Sequence, residues 1–92
     1  MPKTKNNPIT IHGLIIPIEW DERGNVIAVS VSTFDEDEYV IERDEMGKRL
    51  ISFLREEIEI SGLYRLKGGR KMIRVKEYSI KGLVQSSLDD FV

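Results

Sequence analysis

The sequence has no cysteine, and only one histidine and one tryptophan, in 92 residues. Without thiols there is no thiol nucleophile, no thiolate metal site and no disulfide staple. The single histidine, His12, has no second imidazole with which to begin a zinc set or complete a serine–histidine triad elsewhere. An alternating strand around it supplies no local carboxylate partner either, and its neighbour Gly13 suggests a surface or edge position. No apolar run approaches the roughly 18 residues of a membrane-spanning helix, and the opening MPKTKNNP lacks the apolar core of a signal peptide. These absences predict a cytoplasmic, membrane-independent protein with no metal and no cofactor. A chain this short must spend most of its apolar side chains on one core, leaving little for a deep pocket.

The charge that is present is segregated along the chain. Net charge is −2, yet residues 19–59 hold 13 acidic and 5 basic side chains, while residues 61–81 hold 7 basic and 1 acidic. Such a split marks either a basic binding face or an acidic strand lying beside a basic one.

Hydrophobic periodicity divides the chain into five period-two segments with one helical stretch after the third. Residues 1–8 are polar, carry Pro2 and Pro8, and read as a disordered tail. The first strand, residues 9–20, holds Gly13, where the alternation changes phase. Ile9 and Ile11 share a face before it; Leu14, Ile16, Ile18 and Trp20 share one after it, which is how a β-bulge reads in sequence. Pro17 has no N–H to give a ladder and belongs at an edge or beside that distortion. Residues 21–25 form a hairpin loop, with Gly24 and Asn25 suited to positive φ. In the second strand, residues 26–34, Ile27, Val29, Val31 and Thr33 face inward and Ala28, Ser30 and Ser32 outward. After a turn at residues 35–38 comes a third strand, residues 39–43, with Tyr39 and Ile41 on the core side.

Asp44 is placed to cap a helix over residues 46–54, whose Met46, Leu50, Phe53 and Leu54 make one apolar stripe. That helix is too short to persist alone and fits over one end of a barrel. The fourth strand, residues 57–66, carries Ile58 and Ile60 inward, a break at Gly62, and Leu63 inward after it. Gly68 and Gly69 turn the chain into the fifth strand, where Ile73 and Val75 face in and Met72, Arg74, Lys76 and Tyr78 face out.

Five strands with a helix between the third and fourth, a mid-strand glycine in the first, and an IEISGLY fourth strand followed by a glycine-turn hairpin resemble the OB-fold superfamily of small Greek-key barrels. The resemblance covers residues 9–80 and implies a mainly β, five-stranded barrel domain at 9–82, flanked by a C-terminal tail at 83–92. It also implies that the third and fifth strands are neighbours, so that Arg74 and Lys76 can pair with Glu38 and Glu42.

Candidate chemistry is sparse. The acidic run at 35–38 lacks the glycine and distal carboxylate of a calcium loop, and is better read as a solvated turn guarding a strand edge. Glu19, Asp21 and Glu22 have no apolar surround to raise a carboxyl pKa. No serine lies in a nucleophile elbow, and Gly68-Gly69 is followed by a strand rather than by the helix of a phosphate loop. An enzyme is not expected.

Two binding features stand out. Arg65, Lys67, Arg70, Lys71, Arg74 and Lys76, with Tyr78 as a stacking platform, are a candidate surface for single-stranded nucleic acid. Leu88, Asp89, Asp90, Phe91 and Val92 form an acidic, apolar-tipped end similar in character to the partner-recruiting tails of bacterial single-strand-binding proteins. The favoured expectation is a non-catalytic module that binds a protein partner or associates with itself through a strand edge or this tail; nucleic-acid binding is the alternative.

Overall fold

Alternating apolar residues form the strands as expected, and the computed structural model describes residues 7–81. Strands β1 (Asn7–Trp20), β2 (Val26–Thr33) and β3 (Glu38–Ile41) are followed by helix α1 (Glu45–Arg49), which runs into a 3₁₀ turn (Leu50–Phe53). Strands β4 (Glu57–Lys67) and β5 (Arg70–Ile80) complete the order. The five strands close a barrel as β1-β2-β3-β5-β4. All pairings are antiparallel except β3 with β5, which joins Val40 to Met72 and Ile41 to Ile73 in parallel. The first strand begins two residues earlier than expected, because Asn7 and Pro8 already pair with Tyr64 and Leu63. The predicted C-terminal tail lies outside the described residues.

Gly13 does not change the phase of β1. Its pairings with β4 and β2 run through it without a shift, and Ile9, Ile11, Gly13 and Ile15 all point inward. Ile15 is fully buried and Leu14 is exposed, the reverse of the predicted faces. The glycine serves close approach instead. A Cβ at this inward position would lie 2.1 Å from the Ser32 carbonyl oxygen and 2.7 Å from the Thr33 Cα, where β1 passes from β4 to β2. The register shift of β1 comes later, between Pro17 and Trp20.

Gly62 does mark a shift, but the partner strand absorbs it. Ser61 pairs with Glu77 and Gly62 with Val75, leaving Lys76 as the extra residue on β5. On β4, Ile58, Ile60, Gly62 and Tyr64 therefore keep one inward face, and Leu63 turns outward beside Glu42, Arg65 and Arg74, contrary to prediction. On β5 the parity flips. Tyr78, expected outward, sits opposite Ile60 and packs against the core with its ring 6.1 Å from that of Phe53.

In β2, Val29, Val31 and Thr33 are buried as expected. Ala28 and Ser30, on the opposite parity, are buried too. Ser30 lies between the larger Ile16 and Val40 of the flanking strands, which shield it from water although it faces away from the core. Phe34, predicted as the last residue of the strand, lies past its end and is exposed.

Asp44 caps α1, its carboxylate accepting from the Gly47 N–H at 2.9 Å. Leu50 is completely buried, and Met46, Ile51, Phe53 and Leu54 pack around it onto the core. No helix among the described residues is long and apolar enough to cross a membrane.

Candidate binding surfaces

The basic residues singled out in the sequence do come together on β4 and β5, but acidic neighbours engage half of them. Arg65 Nε lies 2.9 Å from Glu42 Oε2, and Arg74 Nε lies 3.9 Å from both Glu42 and Asp44. Lys71 donates to Asp37 and sits 5.5 Å over the Tyr39 ring. The expected pairing of Arg74 with Glu42 is present. Among the described residues, Lys76 pairs with neither Glu38 nor Glu42, and Lys67 and Arg70 at the hairpin tip have no carboxylate partner. Tyr78 is turned toward Phe53 rather than fully outward. Leu88, Asp89, Asp90, Phe91 and Val92 lie outside the described residues.

The pairing at the hairpin base perturbs two titrations. Burial, with Asp37 nearby, holds the Tyr39 phenol above its ordinary range. The hydrogen bond to Asp37 likewise raises the Lys71 ammonium. In the β1–β2 loop the backbone N–H of Asn25 donates to Asp21 at 2.9 Å, which lowers that carboxyl and fixes the turn around Gly24. Asn25 itself does not take positive φ.

A second surface arises from the way β1 changes partners. Its first half pairs with β4, and its second half pairs with β2 from Gly13 onward. Backbone direction follows from two sets of bonds. The Ile15 N–H donates to Glu56 O at 3.2 Å and the Arg55 N–H to Ile15 O at 2.7 Å, so odd residues of β1 face the β4 side. The Phe34 N–H donates to the His12 carbonyl at 3.3 Å, so even residues face the other side. In an antiparallel ladder that alternation places the Thr10 N–H and C=O, and the Pro8 C=O, on the side that β2 has already left. Among the described residues these groups have no backbone partner.

A cleft of about 590 Å³ lies along this bare edge. Ile9, Ile11 and Tyr39 give it apolar walls, and Thr10, His12, Thr33, Phe34 and Asp35 complete the lining. Tyr39 is held edge-on to Tyr64, with ring centroids 5.8 Å apart. Phe34 leans edge-on against His12 at 4.9 Å while remaining 58% exposed. His12 finds a carboxylate on another strand rather than a local one: Nε2 lies 2.7 Å from Glu57 Oε2, reached diagonally across the β1–β4 ladder. Thr33 organises the acidic turn, its hydroxyl donating to Asp35 at 2.6 Å and accepting from the Asp37 N–H at 2.9 Å. Among the described residues no three His, Asp or Glu side chains converge as metal ligands.

Sequence reasoning missed this cleft, although its signal was present. Pro8 has the parity of Thr10 and so puts a nitrogen without hydrogen on the bare side. No family model, curated protein or solved structure matches this chain.

Proposed function

We propose that this chain is a non-catalytic binding module of the OB type, cytoplasmic in setting, which takes an extended polypeptide strand at the bare edge of β1. The OB assignment is supported by the closed five-strand order, the parallel β3–β5 seam and the helical segment between β3 and β4. The binding reading rests on one observation: among the described residues the Thr10 N–H and C=O have no backbone partner, and they lie beside a cleft walled by Ile9, Ile11 and Tyr39. An added strand gains main-chain hydrogen bonds from such an edge and side-chain contacts from the apolar wall. Strand edges left bare are also where proteins pair with one another unless something blunts them.

The test is a panel of short peptides with alternating apolar residues, titrated into labelled protein and followed by amide shifts. Binding should move the amides of Thr10, Ile11 and Phe34. Thr10→Pro should abolish it, because it removes the donor without touching the β4 ladder, and Thr10→Val should retain it. Shifts confined to another face, or equal binding by Thr10→Pro, would refute this assignment.

A second reading, weak binding of single-stranded nucleic acid, draws on Lys67, Arg70 and Lys76, whose charges no described carboxylate neutralises. It requires affinity for a labelled oligonucleotide to fall steeply with salt. Absence of binding at low salt removes it.

A further inference from the structure

Resting on the strand-addition reading above, we propose that the occupant of the cleft is the β4–β5 hairpin tip of a second copy of this chain, exchanged reciprocally in a two-fold dimer. The hairpin outruns the barrel. β1 accompanies β4 as far as Tyr64, and β3 accompanies β5 only at Met72 and Ile73, so among the described residues 65–71 have only each other as strand partners beyond those points. Among the described residues, both outer edges of the tip therefore have no further strand partner and can add to another strand.

Side-chain chemistry matches across the proposed contact. Leu66 is 63% exposed, more than any other large apolar side chain among the described residues, and it sits beside Lys67 and Arg70, the two tip cations without a carboxylate. The cleft presents apolar walls, the exposed Phe34 ring and Asp35, and in the turn that Asp35 opens, Glu36 and Glu38 flank the cleft and make no ion pair among the described residues. The same attraction operates within one chain, where Lys71 at the hairpin base already holds Asp37 of that turn.

Placement fixes the symmetry. Asn7 pairs with Tyr64 and Lys71 bonds Asp37, so hairpin and cleft lie side by side at one end of the barrel. Two copies facing each other across a two-fold axis at that end would each lay a tip into the other's cleft. Such a contact is isologous and closes at two subunits.

The experiment is sedimentation velocity on the full chain from about 1 µM to about 1 mM, at about 50 mM and about 500 mM salt. The expected result is a monomer–dimer equilibrium that weakens with salt and forms nothing larger. Two charge-swapped variants sharpen it: K67E/R70E sets an acidic tip against the acidic turn, while E36K/E38K sets lysines at two positions of the turn without an ion pair among the described residues against the basic tip. Each alone should dimerise at least about 100-fold more weakly than wild type, since like charges then meet in both contacts. Mixed in equal amounts they should recover wild-type affinity, because both contacts of the mixed dimer are complementary.

A wild type that stays monomeric at the top concentration, a mixture no tighter than its components, or growth beyond the dimer would each overturn the proposal. The peptide titration separates the two claims. Peptides that still shift Thr10 in a strictly monomeric protein leave strand addition standing and remove only the second copy as occupant.

Discussion

Strand β1 leaves a bare edge at both ends of the barrel, and the two ends deal with it differently. Beyond Leu14 the strand has lost β4, and there the segment after the 3₁₀ turn takes over: Arg55 and Glu56 bond Ile15, while Leu50 fills the core beneath. Before Gly13 the strand has lost β2, and among the described residues one backbone bond, from Phe34 to His12, joins it to the β2–β3 turn. Among the described residues, one end is plugged and the other is not. A bare edge beside a packed helical plug carries stability, whereas a bare edge beside an open cleft is available for recognition.

The sharpest way to break that contrast is to empty the plug. Leu50→Ala should cost about 3 kcal/mol in urea unfolding, because a fully buried side chain leaves a cavity its neighbours cannot fill. A cost below about 1 kcal/mol would mean that the plugged end contributes little. Asp44→Ala should cost about 1 kcal/mol by loss of the cap on α1, measured in the same way, with Asp44→Asn nearly neutral.

A smaller effect belongs to the open end and appears on the alkaline side. Tyr39 and Lys71 are both shifted upward from 10.0 and 10.5, so the folded state holds their protons more tightly than the unfolded chain does. The stability they contribute is full below those values and is lost as pH rises through the folded-state values. Melting temperature should therefore fall above about pH 10, and Asp37→Asn should flatten that fall; an unchanged slope would contradict the assigned cause. Smallest of all, Phe34→Ser should change stability by no more than about 0.5 kcal/mol while weakening peptide binding at the cleft. A large loss of stability would make Phe34 part of the fold rather than of the site.

The barrel was legible in the sequence because its signals are local. Alternation located all five strands, Asp44 announced the helix, and Gly68-Gly69 announced the hairpin. The phase of the strands around the glycines was not legible. At Gly13 the sequence shows only a missing side chain, and whether that marks a bulge or a close approach depends on the backbone that arrives, here that of Ser32. At Gly62 the bulge exists, but its extra residue, Lys76, is on the partner strand, so the orientation of Tyr78 was set by a pairing that local pattern does not contain.

The candidate sites divide along the same line. The basic residues were visible as a run, and their partial neutralisation follows from β3 lying beside β5. The cleft was not visible, because it is made by the residue at which β1 exchanges one neighbour for another. Only its proline betrayed it.

The parallel seam has a kinetic meaning. Two residue pairs, Val40 with Met72 and Ile41 with Ile73, carry the whole of it, and each joins positions 32 apart in the chain. The β1–β2 and β4–β5 hairpins can zip from their turns, whereas this seam must wait for both hairpins and the intervening helix to be in place. Closure at β3 and β5 is thus expected to follow the rate-setting step of folding, and substitutions at Val40 or Met72 should accelerate unfolding while leaving the refolding rate almost untouched.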